Sequence, residues 1–385
     1  MEFIEGYTIL TLSLTIGYVI LIFAFTFGLN QVLKQKVIPG HDQTTRVSVI
    51  IAARNEELNI LPCLVDLLNQ DYPRDLFEVI VTDDFSEDRT CEFVKSFIHQ
   101  HPEFPLSVIS PERKSPVGTG KKQALTRAIN SASGELIITT DADTTHGRSW
   151  ISSIVNYYFA YKPQMILGPV CFQNEKNILQ KIQSLEFLGL MAITAGSVWL
   201  KLPLMCNGAN LSFRKEAFHE TGGYQDNYRF ASGDDMFLML KFLKAYGKKT
   251  VMFLGDPKAI TYTGAEKTWS GFLNQRIRWI SKGHGYTDPW VVFVAVYTWL
   301  VNFTLLTGVV FGFFAPRFLG ISIVLWLAKI LSEFLPVFRM SKFSNKTNLL
   351  NHYFLAQLFQ WIYVSIIGIL GNFLPYQWKG RSINK

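Results

Sequence analysis

Several short polar groups in this chain of 385 residues stand where apolar runs stop, and their residue types suit work on a phosphate-bearing substrate. Asp141 and Asp143 close the run GELIITTDAD. Two positions apart on extended chain, their side chains are expected to point the same way. Paired carboxylates suit Mg²⁺ or Mn²⁺, and such an ion neutralises the charge that builds on a departing diphosphate. An Asp-x-Asp is common, and a solvated strand end explains it in isolation; the buried apolar run before this one favours the metal site. Asp83 and Asp84 lie in TDDFSEDRT. Turn chemistry and a helix cap at Ser86 or Asp88 account for part of that string; a carboxylate recognising a nucleotide base or ribose accounts for the rest. Adjacent side chains face opposite ways, which leaves room for one of the two to be structural.

Three further groups have the same double character. Gly118-Thr119-Gly120-Lys121-Lys122 precedes a helical stretch. Backbone N–H groups there attract phosphate and a lysine adds a point charge, but the GxxxxGK[ST] spacing of a P-loop is absent. Gly233-Asp234-Asp235 opens the stretch MFLMLKFLKAYG. Acidic residues favour a helix start for dipole reasons alone, and a carboxylate in a cleft also serves as a general base toward an acceptor hydroxyl. Gln275, Arg278 and Trp279 fall on one helix face in QRIRW. Arg holds phosphate oxygens and Trp stacks on a sugar; the competing role is a membrane-interface anchor.

The elements that must carry these groups alternate. VSVIIAA, FEVIVTDD, PLSVIS and GELIITTDAD read as strands, with ELNILPCLVDLLNQ, RTCEFVKSFIHQ and KKQALTRAINSAS as the helices between them. That alternation predicts an α/β sheet of mostly parallel strands. Ligands of open parallel sheets bind beyond the carboxyl ends of the strands. Three strand ends here are polar: Ala53-Arg54-Asn55-Glu56, Asp83-Asp84 and Asp141-Ala142-Asp143.

Both ends of the chain are apolar over lengths that span a bilayer: residues 7–29, then 290–315, 319–338 and 353–374. Glu2 and Glu5 precede the first run, where a signal peptide would carry positive charge. Lys34, Lys36 and Arg46 follow it, so the chain is expected to enter the cytoplasm there. Simple alternation then puts the C-terminus outside, against the preference of the basic tail WKGRSINK. Lys329 and Glu333, four apart inside an apolar run, predict a mutual ion pair, with a lipid head-group contact as the sharper alternative. Residues 178–204 are apolar but broken by Gly189, Gly196 and Pro203, which suggests an amphipathic helix lying on the membrane surface. The expected layout is a membrane helix at 1–33, an α/β domain at 46–288 holding that interfacial segment, about three membrane helices at 289–376, and a basic tail at 377–385.

The net charge of +7 is spread among membrane flanks and the polar groups above rather than gathered in one patch, which argues against nucleic acid. Cys63, Cys91, Cys171 and Cys206 form no CxxC or metal spacing and read as reduced thiols.

Taken in order, AARNEE, VTDDFSED, GKKQAL, TTDADT, NGANLSFRKEAF, SGDDMFLML and QRIRW resemble glycosyltransferase family 2, in its membrane-bound, QxxRW-containing branch. The resemblance covers roughly 47–282 and the flanking spans. It implies a GT-A fold and an inverting single displacement from a nucleotide-diphosphate sugar, by resemblance a UDP-sugar, with Mg²⁺ or Mn²⁺. By motif, Ala53, Arg54, Glu56, Asp83, Asp84, Lys121, Asp141 and Asp143 would hold the nucleotide sugar, the last two also the metal. Asp235 would be the catalytic base, and Asn210, Asp234, Gln275, Arg278 and Trp279 would serve the acceptor and diphosphate. Asp234 stands where many members carry Glu. The short YQWKGRSI ending looks like that of the lipid-glycosylating group and implies a lipid acceptor; a processive polysaccharide synthase is the alternative. The protein is then an integral membrane enzyme with its catalytic domain in the cytoplasm, at the inner or plasma membrane if bacterial. A sugar nucleotidylyltransferase would want a Gly-rich loop that AARNEE lacks, and a silent scaffold would predict losses at Asp143 or Asp235.

Overall fold

Runs such as VSVIIAA and FEVIV carry apolar residues on both faces, so each must be covered on both sides, as strands inside a layered α/β sheet are. The computed structural model describes residues 2–35, 44–110, 120–227, 232–379 and 381–383. Gly118, Thr119, Lys36 and part of the basic tail lie outside the described residues. Helix α1 (Glu2–Lys34) is followed by β1 (Val47–Ala53), α2 (Ile60–Leu68), β2 (Phe77–Asp83), α3 (Thr90–Gln100), β3 (Leu106–Ile109), α4 (Lys121–Ser131) and β4 (Leu136–Asp141). Next come β5 (Thr145–His146), α5 (Trp150–Tyr161), β6 (Met165–Leu167), β7 (Val170–Gln173), α6 (Ile178–Trp199), β8 (Leu211–Arg214) and α7 (Lys215–Glu220). Then follow α8 (Asp234–Tyr246), β9 (Val251–Phe253), β10 (Thr261–Gly264), α9 (Trp269–Ser281), α10 (Pro289–Gly312), α11 (Pro316–Phe343) and α12 (Tyr353–Leu370).

The chain divides into two units. The sheet unit comprises Leu33–Gln173 and Met205–Gly264. Its main sheet has seven strands in the order β3-β2-β1-β4-β8-β6-β9. Neighbouring strands are parallel except at β8, which runs against both β4 and β6. A small sheet, β5-β10-β7, accompanies it. Val49, Ile50 and Ile51 of β1 have no exposed surface; burying each such side chain is worth roughly 1.5–3 kcal/mol. The strand order reverses between β1 and β4, because β2 and β3 lie on one side of β1 and β4 on the other. Such a reversal opens a crevice at the carboxyl ends of the strands.

The helical unit comprises Met1–Val32, Asn174–Leu204 and Ala265–Lys385. Among the described residues five helices are long and apolar enough to cross a membrane: Ile4–Lys34, Ile178–Trp199, Pro289–Gly312, Pro316–Phe343 and Thr347–Leu370. Most of α6 is buried, which differs from the surface-lying helix that the sequence suggested. It packs mainly against α11 and α12, and it also crosses α1 closely at one point. A Cβ on Gly196 would run into the Phe25 backbone, and one on Gly28 into the Gly196 carbonyl. Small residues that let backbones touch are how apolar helices associate without water. Inside this unit Lys329 and Glu333 pair at 2.9 Å, and the Tyr18 hydroxyl of α1 donates to Glu333 at 2.5 Å. The expected ion pair therefore forms, and it ties α11 to α1.

Candidate active site

The polar strand ends fall in register within the sheet unit. Ala53 of β1 stands opposite Asp83 of β2, and Ala52 opposite Asp141 of β4. Three of the expected groups thus share one edge, at the crevice where the strand order reverses.

The first two strand ends are stitched together by their loops. Arg54 donates from Nη1 to the carbonyls of Asp84 and Phe85, both at 2.7 Å, and from Nη2 to Glu87 at 3.2 Å. Asn55, Glu56 and Glu57 send backbone N–H groups to Ser86, Thr90 and Asp88. This stitching explains why α2 starts only at Ile60, although the helical pattern begins earlier. The Asp84 N–H donates to Ala53, and Asp83 accepts the Ser86 N–H on both oxygens at 3.2 Å. Asp88 accepts from the N–H groups of Glu57 and Thr90 and from the Thr90 hydroxyl. Burial opposes ionisation of Asp88, but the hydrogen bonds from Thr90 outweigh it and hold its carboxyl below the usual range. The Arg54 guanidinium, expected to meet the nucleotide sugar, also braces this loop.

At β4 the strand stops at Asp141, and Ala142 and Asp143 form a turn closed by a bond from the Thr144 N–H to the Asp141 carbonyl. The alternation of an extended chain therefore ends one residue too early to align Asp141 with Asp143 as expected. Ala142 is buried instead, while Asp141 is half-buried and Asp143 exposed. Lys121, the first residue of α4, donates to Asp141 at 2.7 Å and lies 3.4 Å from Asp234. Burial alone would lower its pKa, but the carboxylates of Asp141, Asp234 and Asp235 outweigh burial and raise it well above the ordinary lysine value. Lys121 is therefore a fixed cation.

Asp234 and Asp235 start α8, after Gly233, which takes the left-handed conformation (φ +82°) that glycine tolerates best. Asp235 accepts the Met236 N–H at 2.7 Å and the Gly208 N–H at 3.3 Å. A Cβ on Gly208 would lie 3.3 Å from an Asp234 oxygen and 3.7 Å from the Lys121 amine, so this glycine sits inside the charged cluster. The Thr139 hydroxyl donates to the Gly208 carbonyl and the Thr140 hydroxyl to that of Ala209, both at 2.9 Å. These bonds fasten the Gly208 segment to the strand that ends in Asp141. Gly208, Thr139 and Thr140 were not singled out from the sequence. The signal was there: two threonines in the middle of a buried strand need hydrogen-bond partners.

Asn210, expected at the acceptor or diphosphate, ends the Gly208 segment. It is buried, donates to the carbonyls of Pro169 and Ala259, both at 2.8 Å, and accepts from the Trp150 indole at 3.3 Å. Those bonds use its amide inside the protein. Behind the Asp141 turn, His146 contacts the Thr140 hydroxyl at 2.9 Å through Nε2, and its Nδ1 has no partner among the described residues. Burial pushes its pKa down to about 3, so the ring is neutral.

Gln275, Arg278 and Trp279 lie on α9, in the helical unit, and are half-buried. The Gln275 amide reaches Glu266 at 3.4 Å, and the Trp279 ring centre stands 6.3 Å from that of Phe187.

The donor chemistry at Asp141 and Asp143 fits a hard divalent cation. Among the described residues no three His, Cys, Asp or Glu side chains gather as a metal cage. Mg²⁺ is commonly held by one or two carboxylates together with substrate phosphates and water, so a two-carboxylate set is sufficient.

Residues 48–222 match the family model described as glycosyl transferase family 2, and residues 136–376 that of glycosyl transferase family group 2. A probable glycosyltransferase of Bacillus subtilis, YdaM, is 28% identical over 245 residues, 63% of this chain and 56% of that one. A poly-beta-1,6-N-acetyl-D-glucosamine synthase of Staphylococcus epidermidis is 27% identical over 252 residues, again 63% and 56%. The chain thus spans about half the length of the curated relatives it matches. Among solved structures, a mannosyltransferase from Pyrobaculum calidifontis in complex with GDP-Man and Mn²⁺ aligns over 93% of this chain and 99% of that one, with a TM-score of 0.56 at 19% identity. At that identity the likeness speaks to the fold, which is GT-A.

Proposed function

The chain belongs to glycosyltransferase family 2, and from that premise we propose that it is an inverting enzyme moving a hexosyl group from a UDP-sugar to a membrane-associated acceptor, a lipid. The observation that carries the proposal is the convergence of Asp141, Lys121, Asp234 and Asp235 beside the β1–β4 crevice. Asp83 or Asp84 contacts the nucleoside, and Lys121 offers its fixed charge to the diphosphate. Asp141 and Asp143 would hold Mg²⁺ or Mn²⁺, which when bound supplies positive charge for the leaving diphosphate. Asp235 takes the proton from the acceptor hydroxyl as that oxygen bonds to the anomeric carbon. The carbon–oxygen bond to the diphosphate breaks on the opposite face, and the nucleoside diphosphate departs with the electron pair. The N–H groups of Met236 and Gly208 orient the Asp235 carboxylate for this task. Gln275, Arg278 and Trp279 are assigned to diphosphate and acceptor by their motif alone.

Lys34, Lys36 and Arg46 after the first apolar helix support a cytoplasmic active site in an integral membrane protein. A second reading is favoured by one relative's name: a synthase that extends a polymer of N-acetylglucosamine. Detergent-solubilised full chain, given radiolabelled UDP- and GDP-sugars, Mg²⁺ or Mn²⁺ and a total lipid extract, separates them. Label in a chloroform-soluble product supports the lipid acceptor. Label in a large water-soluble polymer overturns it in favour of the synthase.

A further inference from the structure

Next to Gln275 stands Arg276, a residue that no motif role requires, and it is 4% exposed. Its guanidinium donates from Nη2 to Glu186 of α6 at 2.5 Å and from Nη1 to the Gln275 side chain at 2.5 Å. Its planar head stacks over two rings of its own helix, with centroids 4.5 Å away at Phe272 and 4.3 Å at Trp279. Glu186 also accepts from the Tyr363 hydroxyl of α12. All of these residues belong to the helical unit.

A buried ion pair is by itself weak support for stability, because apolar residues of the same volume serve as well. What sets this one apart is the rest of the guanidinium. One edge holds Gln275, one face holds Trp279, and the other edge fixes both to α6. Only a planar fork does all three; a lysine amine keeps the charge and loses the geometry. We infer that Arg276, anchored by Glu186 and Tyr363, is a positioning residue that sets the rotamers of Gln275 and Trp279 for the transfer step. The inference rests on the family reading that α9 serves the reaction.

The test uses the full chain in detergent with the donor and acceptor that give transfer, with rates expressed per UDP-binding site so that a misfolded fraction does not count. Arg276→Lys preserves the pairing with Glu186. It is expected to lower kcat at least tenfold and to raise the donor KM by a smaller factor, while the thermal midpoint stays near that of the parent. A kcat loss smaller than tenfold overturns the inference, because charge anchoring then suffices. A donor KM raised by a larger factor than kcat falls also overturns it, because the effect would then lie in donor binding rather than in the transfer step. Arg278→Ala runs alongside. If it transfers normally, the reading of α9 fails and the inference with it; if it is inactive while Arg276→Lys is not, only the inference fails.

Discussion

Among the described residues of the helical unit, buried and half-buried charges stand in one-to-one pairs: Lys329 with Glu333, Arg276 with Glu186, Lys346 with Glu175. At the strand-end edge of the sheet unit one amine, that of Lys121, is shared between Asp141 and Asp234, and Asp235 adds to the field that raises its pKa. One-to-one pairing is what a low-dielectric interior demands of any charge it keeps. Carboxylates gathered around one shared amine at a strand-end crevice are the kind of group that a divalent cation with a diphosphate makes use of. Charge paired one to one marks architecture in this protein, and charge shared at the strand ends stands where the proposed chemistry would take place.

The sharpest break in that contrast is at Asp235. Asp235→Asn is expected to lower the transfer rate by about 10²–10⁴-fold with donor affinity unchanged, measured by label transfer and by UDP binding. Equal loss of donor binding would remove its role as base. On the architectural side, Glu333→Gln leaves Lys329 buried without its counter-charge and is expected to cost about 3 kcal/mol. Replacing both residues with apolar ones should cost far less, within about 1 kcal/mol by the same reasoning. Denaturation midpoints in detergent check this, and a single variant as stable as the double would dissolve the contrast. Lys121→Met removes the shared amine and is expected to weaken UDP binding about tenfold, the scale of one charge-assisted hydrogen bond. A further effect concerns pH. His146 is neutral in the fold, its pKa lowered by burial from 6.5 to about 3. The unfolded chain takes up that proton at about pH 6.5, so its contribution to stability is intact above that pH and declines as pH falls toward 3. The slope is at most about 1.4 kcal/mol per unit, and His146→Gln should flatten it.

Much of the sheet was legible because its strands are continuous apolar runs with polar ends. β1, β2 and β4 fall where the strings VSVIIAA, FEVIVTDD and GELIITTDAD predict. The convergence of their ends was legible too, since parallel strands bring carboxyl ends together. Side-chain destinations were harder. Arg54 and Asn210 have residue types that suit a ligand equally well, yet they brace loops and core, and only their partners in space show it. The turn after Asp141 depends on a hydrogen bond from Thr144 that no spacing announces. α6 was hard for a different reason. Its glycines read as breaks in a span, whereas Gly196 lies directly against the α1 backbone at Phe25.

The most direct measurement is calorimetric titration of UDP into the detergent-solubilised full chain, with Mn²⁺ and then with EDTA, for the parent protein and for Asp143→Ala. The account predicts binding to the parent in Mn²⁺, little in EDTA, and little to Asp143→Ala under either condition. UDP binding of equal affinity in EDTA, or undiminished binding to Asp143→Ala, would contradict a metal-dependent nucleotide-sugar site at this edge.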